Sequence, residues 1–212
     1  MRLSIILIAA SAAIATPLIA QQAMQVPGSK SVAGITGGTY TADPSHTLVS
    51  WTVDHLGFTP YFGLFGDVTG TLTFDPKNPA AAKVDVTIPV SKVVTASAGL
   101  TAHLLRPGKE GGKPDFFGAA PSDAKFVSTS VKPTSSGKAN VTGNLTLNGV
   151  TKPVVLDASF AGAGKMPAQM GGKEMVGFHA STTIKRSEFG VLMGIPMVSD
   201  EVRLDITAAF QK

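Results

Sequence analysis

DPSHTLVSWTVDHLGF, residues Asp43 to Phe58, alternates apolar and polar side chains along its middle. Val49, Trp51 and Val53 share one parity, and Ser50, Thr52 and Asp54 share the other. Successive side chains of a strand point to opposite faces, so this pattern predicts a strand with one dry and one wet side. The same stretch holds two of the four histidines. An extended chain rises about 3.3 Å per residue, which sets His46 and His55 about 30 Å apart. They share neither a metal ion nor a proton within this strand. His55 has the parity of Trp51 and is expected to point inward, while His46 points outward or precedes the strand.

The period of two recurs along the chain. Val68, Gly70, Leu72 and Phe74 alternate with Asp67, Thr69, Thr71 and Thr73, and Val84, Val86 and Ile88 alternate with Lys83, Asp85 and Thr87. A shorter run starts at Phe126. Val141, Gly143, Leu145 and Leu147 then share a face, as do Val154, Leu156, Ala158 and Phe160. Val176, Phe178, Ala180 and Ile184 follow, then Val202, Leu204, Ile206, Ala208 and Phe210. Turn signals at Asp75-Pro76, Ser136-Gly137, Asn148-Gly149 and Gly171-Gly172 separate these runs. About eight amphipathic strands of this kind build an antiparallel sheet closed into a barrel or stacked as a sandwich. The polar face is Thr, Asp, Lys, Asn and Arg, which suits water rather than lipid, so the apolar face points inward. The segment Ser97 to Asp123 breaks the pattern and reads as a short helix near Thr101 to Leu105, a loop, and a turn around Asp115 to Phe117.

The chain has 212 residues, enough for one domain with a core. Its net charge of +4 is mild and its basic residues are scattered without interleaved aromatics, which argues against nucleic-acid binding. It has no cysteine, so disulfide, thiolate and Cys–metal chemistry are absent. Residues 1–20, MRLSIILIAASAAIATPLIA, carry one basic residue and an apolar stretch from Leu3 to Ala15, too short to span a bilayer. They read as a cleaved export signal ending near Ala20, with the bacterial periplasm as destination. Residues 21–39 are small, polar and Gly-rich without a hydrophobic period, and are expected to be a flexible leader. The barrel domain is expected over 40–212.

Catalytic and metal signatures are missing. There is no Gly-x-Ser-x-Gly elbow, and GKEGGKP lacks the spacing of a phosphate-binding loop. The histidines show no ligand spacing, and His103 and His179 fall in the insert and on the polar face. No catalytic residue, metal or cofactor is expected. The run HLGFTPYFGLFG, His55 to Gly66, is rich in aromatic residues and reads as a short helix or lid over the barrel mouth. It acts either as a plug of packing residues or as a gate for an apolar chain. The small inward residues Gly70, Gly143, Ala158, Ala180 and Ala208 also admit two readings. They leave room for a guest, or they relieve strain at kinks and bulges. In IKRSEFGVLMGIPMVSDEV, Arg186 and Glu188 share parity and are expected to pair, and the apolar run Leu192 to Met197 suggests a dimer edge or tunnel mouth.

DPSHTLVSWTVDHLGFTPYFGLFGDVTGTLTFD, GNLTLNGVTKPVVLDASF, GFHASTTIKRSEFGV and DEVRLDI, with PDFFGAAPSDAKFVSTSV between them, resemble the YceI-like family of secreted lipid-binding proteins over about Tyr40 to Phe210. The resemblance implies an eight-stranded, lipocalin-like antiparallel barrel with a short helix or lid at its mouth. It further implies a long apolar tunnel for polyisoprenoids, isoprenoid quinones or fatty amides. It implies a periplasmic protein, a homodimer, and transient contact with a membrane or a b-type cytochrome. Two departures stand out: Thr47 replaces the usual serine after His46 but keeps the hydroxyl, and GKEGGKP enlarges the insert.

Together these readings make Trp51, Phe58, Phe62, Phe65, Leu72, Phe116, Phe178 and Phe189 the expected ligand contacts. Gly70 and Gly143 are expected to supply tunnel volume, and His55 or the Tyr61 hydroxyl to meet a polar head. Two other classes remain: a filled barrel serving as a structural or stress-related interaction module, and an enzyme acting on a bound lipid.

Overall fold

In the computed structural model, which describes residues 25–212, the alternating runs form ten strands and one α-helix. The strands are β1 (Gly38–Ala42), β2 (Leu48–His55), β3 (Thr59–Phe65), β4 (Thr69–Phe74), β5 (Lys83–Ile88), β6 (Ala124–Ser135), β7 (Lys138–Leu147), β8 (Val150–Lys165), β9 (Glu174–Lys185) and β10 (Glu201–Gln211). The helix α1 spans Ala98–Leu104. All pairings between these strands are antiparallel. The ring β1-β4-β5-β6-β7-β8-β9-β10 closes through β1–β10 and makes an eight-stranded barrel. The hairpin β2–β3 continues the wall beyond β1 and β4, with β2 on the same edge of β10 as β1.

The residues from Thr59 to Phe65, expected as a helix or lid, are instead a strand in register with β2: Trp51 faces Gly63 and Val53 faces Tyr61. An inward set of Tyr61, Gly63 and Phe65 alternates with Phe62 and Leu64, but Phe62 is apolar on the wet side and hides the period. The turn at Leu56–Gly57, both with positive φ, sends the chain back. The short helix falls where the insert was expected to hold one. Ser97 caps it, its hydroxyl accepting from the Leu100 amide at 3.3 Å.

Between β1 and β2 the ladder along β10 is interrupted, and one side chain fills the gap. The Thr47 hydroxyl donates to the Ala209 carbonyl at 3.0 Å and accepts from the Ala209 amide at 3.1 Å. Thr47 is 3% exposed, and without its hydroxyl the Ala209 amide would lose this buried bond, while the Ala209 carbonyl keeps the Asp43 amide at 2.8 Å. His46, just before it, turns outward and bonds Asp43 at 2.7 Å.

The leader expected to be flexible is laid across one end of the barrel from residue 27 to 37. Ser29 exchanges two backbone bonds with Ala163, and Ile35 is buried against Tyr40, Phe74 and Phe210. A lone isoleucine among glycines and threonines carries no period, so its anchoring was invisible to pattern. This strap is clamped by Glu174, which accepts from the Thr36 amide at 2.8 Å, from the Tyr40 hydroxyl at 3.0 Å and from Lys212 at 3.4 Å. The Thr36 amide holds the Glu174 carboxyl below its usual range, aided by the two hydroxyls and the Lys212 charge. Burial, then the Glu174 carboxylate, pushes the Tyr40 hydroxyl up to about 12. Residues 1–20, expected as an export signal, lie outside the described residues.

Thr47→Val removes the hydroxyl at nearly constant shape and should lower the unfolding free energy by about 1–3 kcal/mol, with Thr47→Ser restoring most of it. Urea unfolding of the three proteins checks this. Tyr40 predicts an alkaline dependence. Its folded pKa lies above the unfolded one, so its contribution is complete below the ordinary tyrosine pKa and is lost as pH rises through about 12. Tyr40→Phe should remove that part of the pH profile.

Candidate functional site

The inward faces do not fill the barrel. A cavity of about 1060 Å³ runs through it and reaches both ends. That is at the upper end of the range for small-molecule sites, about 300–1,000 Å³. Its walls include Val49, Trp51, Val53, Leu72, Val84, Val86, Leu145, Leu156, Leu204 and Ile206, with the small Ala158, Ala180 and Ala208 among them. Ala158 and Ala180 face each other across β8 and β9. Near the strap, Phe74, Phe178 and Phe160 stack edge to face, with Phe178 5.8 Å from each of the other two centroids.

At the other end, α1 turns Leu100, His103 and Leu104 toward the lumen, the spacing of one helical face. Phe116 and Phe117 close in beside them. Phe117 meets Phe65 edge-on at 6.0 Å, and Phe116 meets the His103 ring at 5.2 Å. His103 Nε2 lies 2.9 Å from Asp115 Oδ2, and Arg106 bonds the same oxygen. The Arg106 guanidinium, and after it His103, holds the Asp115 carboxyl below its usual range. This latch pins the helix to the loop that carries Phe116. The GLTAHLL spacing contained the lumen positions of α1, but the latch partner lies twelve residues on in an irregular loop.

Seven of the twelve expected contacts line the cavity: Trp51, His55, Tyr61, Phe65, Leu72, Phe116 and Phe178. The other five do not. Phe58 and Phe62 are on the outer surface, 89% and 66% exposed, because the supposed lid is a hairpin. Phe189 is buried in the core beside Ile184 and Val202, in a turn where strand parity no longer applies. Gly70 and Gly143 create no tunnel volume. A Cβ on Gly70 would stand 2.2 Å from the Asp85 carbonyl oxygen, so the neighbouring backbone needs that space. A Cβ on Gly143 would stand 2.4 Å from the Phe126 ring, which lies across it. Gly70, with φ of +131°, fits the strain-relief reading, Gly143 makes room for the Phe126 ring, and the alanines line open volume.

Polar side chains line both ends of the lumen: Lys30, Ser135, Ser136 and Lys138 at the strap end, and Trp51, His55, Tyr61 and His103 toward the α1 end. Trp51 Nε1 and the Tyr61 hydroxyl are buried without a partner among the described residues, their rings 6.4 Å apart. Arg186, expected to pair with Glu188, is instead 6% exposed and reaches the cavity wall. Its guanidinium donates to the carbonyls of Ser199, Val191, Met193 and Val198 at 2.8–3.0 Å. Burial lowers its pKa and the nearby Asp200 charge opposes that shift. Asp200 is itself held below its usual range, first by the Ser187 amide. These bonds fold the loop 186–200, with Leu192, Met193 and Met197 exposed at its surface. Among the described residues no group of three or more His, Asp or Glu side chains could hold a metal ion. None of the described helices is long and apolar enough to cross a membrane.

A closed antiparallel barrel around an apolar through-cavity is a lipocalin-like architecture. The chain belongs to the YceI-like domain family, whose model matches residues 40–210. It is 42% identical over 163 residues to "Protein YceI" of Salmonella arizonae, an alignment covering 76% of this chain and 80% of that protein. Its fold is similar to the crystal structure of Burkholderia cenocepacia BcnA, with a TM-score of 0.64 and 27% identity, covering 79% of this chain and 98% of that one. It also shares the fold of a polyisoprenoid-binding domain from Saccharophagus degradans, at a TM-score of 0.52 and 16% identity, over 81% and 97% of the two chains.

Arg186→Lys keeps the charge but cannot reach four carbonyls from one fork. It should destabilise the protein by about 2–4 kcal/mol, since buried carbonyls are left unbonded. Urea unfolding measures the loss, and faster proteolysis within 191–198 locates it.

Proposed function

We propose that this protein is an exported carrier that holds one long apolar lipid of isoprenoid type inside its barrel. The observation that carries this reading is the apolar cavity running from one barrel end to the other. Removing apolar surface from water is worth about 25 cal/mol per Å². A flexible prenyl or acyl chain gains that along the whole bore without needing directional contacts. The alanine girdle of Ala158, Ala180 and Ala208 gives the chain room where a packed core would have large side chains. Residues 1–20 serve as the export signal and direct the protein to the periplasm.

The polar head sits at the α1 end. Buried donors without acceptors cost about 1–3 kcal/mol each. A head bearing a carbonyl, as in a prenyl quinone or a fatty amide, relieves that cost at Trp51 Nε1 or the Tyr61 hydroxyl after a small rotation of either ring. His55 lies at the same end of the cavity wall. The fold shared with a polyisoprenoid-binding domain supports the class of cargo. No step of bond making is assigned to any residue.

Native mass spectrometry of protein exported to a bacterial periplasm, followed by organic extraction, tests the carrier directly. A stoichiometric prenyl quinone, polyprenol or fatty amide is expected. Trp51 is the sole tryptophan and lines the cavity, so its fluorescence should change on titration with ubiquinone. Ala180→Phe should abolish both signals while cooperative unfolding persists. A clean apo mass with no response to added ubiquinone would favour the filled interaction module.

A further inference from the structure

The two ends of the barrel differ sharply in charge. The strap end consists of the strap, the β4–β5, β6–β7 and β8–β9 turns and the chain terminus. Lys30 stands on the strap, Lys77 and Lys83 at the β4–β5 turn, and Lys138 at the β6–β7 turn. Lys165 and Lys173 flank the β8–β9 turn, and Lys212 ends the chain. All seven are exposed. The acidic side chains in the same turns and strand ends are Asp75 and Glu174. Among the described residues the ion pair at this end is Lys212–Glu174. By the same criterion the α1 end carries six basic and seven acidic residues. The cavity opens inside the lysine ring, bordered by Lys30, Ser135, Ser136 and Lys138.

We infer that the strap end is a docking surface for an anionic lipid bilayer, on which the tunnel opening is set flat against the membrane. This rests on the carrier reading for its cargo. A ring of cations around a barrel end matches a plane, whereas a rod-like polyanion would touch only one side of it. The cations are all lysine, and the described arginines, Arg106, Arg186 and Arg203, lie elsewhere. Lysine acts as a mobile point charge, suited to a diffuse anionic surface rather than to bidentate recognition. Basic residues near such a surface add their attractions, and salt screens them. The surface turns scattered basic residues, unremarkable in the sequence, into a set with one direction.

The test is flotation of the purified protein with vesicles of phosphatidylcholine and with vesicles of equal parts phosphatidylcholine and phosphatidylglycerol, at low and high salt. Binding to the anionic vesicles alone, weakened by salt, is expected. The triple variant Lys138→Gln, Lys165→Gln, Lys173→Gln should bind about a hundredfold more weakly. Lys109→Gln, Lys113→Gln, Lys185→Gln removes the same charge from the α1 end and should bind like the parent. Failure of the parent to float with anionic vesicles overturns the proposal, as does equal weakening by both triple variants. So does salt-insensitive binding lost in Phe58→Ser, which would place the contact at the other end, or capture of duplex DNA but not of vesicles. Organic extraction of the same samples separates the two readings. Lysine-dependent docking by an empty protein sinks the carrier and leaves the surface, and lipid-loaded protein that ignores the vesicles does the reverse.

Discussion

One hydroxyl group holds the seam of this barrel. β10 must bond two successive strands along a single edge, and between them the chain turns away from it at residues 43–47. Thr47 supplies a donor and an acceptor to Ala209 at that gap. Without it the Ala209 amide would lose its bond to Thr47 inside the protein, while the Asp43 amide still holds the Ala209 carbonyl. Closure in turn creates the lumen, since each alternating strand then has an inside and an outside. Beside the bonding hydroxyl Thr47 carries a methyl, and the residue lines the cavity wall.

The bore stays open because side-chain volume is distributed unevenly along it. Aromatic pairs stand toward the two ends, Phe74, Phe160 and Phe178 at the strap and Phe65 with Phe117 below α1. Ala208 stands level with Phe178 and Phe160, and the next inward level of β8 and β9 carries Ala158 beside Ala180. Alternation sets which residues point inward, but residue size decides whether the inside is a core or a conduit. Both are present here: Leu72, Phe74 and Phe210 pack with the fully buried Tyr40 in one cluster and also line the cavity.

Much of this was legible from parity alone. Trp51, His55, Leu72 and Phe178 lie on regular alternating strands, and each faces the lumen as its parity requires. Parity failed where the strand was irregular or had ended. Phe62 disguised β3 because an apolar residue occupies the wet face, and Phe189 sits in a turn where alternation has no meaning. Gly70 and Gly143 were assigned the correct face but the wrong consequence. An absent side chain makes volume only if no neighbour claims it, and β5 and Phe126 claim these two places. Arg186 ran against the pattern for a different reason. Four backbone carbonyls from a loop far from any strand rule make an inward guanidinium acceptable.

The place of β10 in the ring has a consequence for how the chain acquires its shape. It is the last strand in the sequence, yet it joins β9 to the first strands. Until residues 201–211 have emerged, the nascent chain is an open sheet with two bare edges and an apolar face exposed to solvent. Its closing contacts are separated by more than 160 residues, as between Thr47 and Ala209, a topology that folds slowly. Loss of the last dozen residues would therefore yield no smaller barrel. It would leave a curved sheet with unsatisfied edges, prone to pair with other chains.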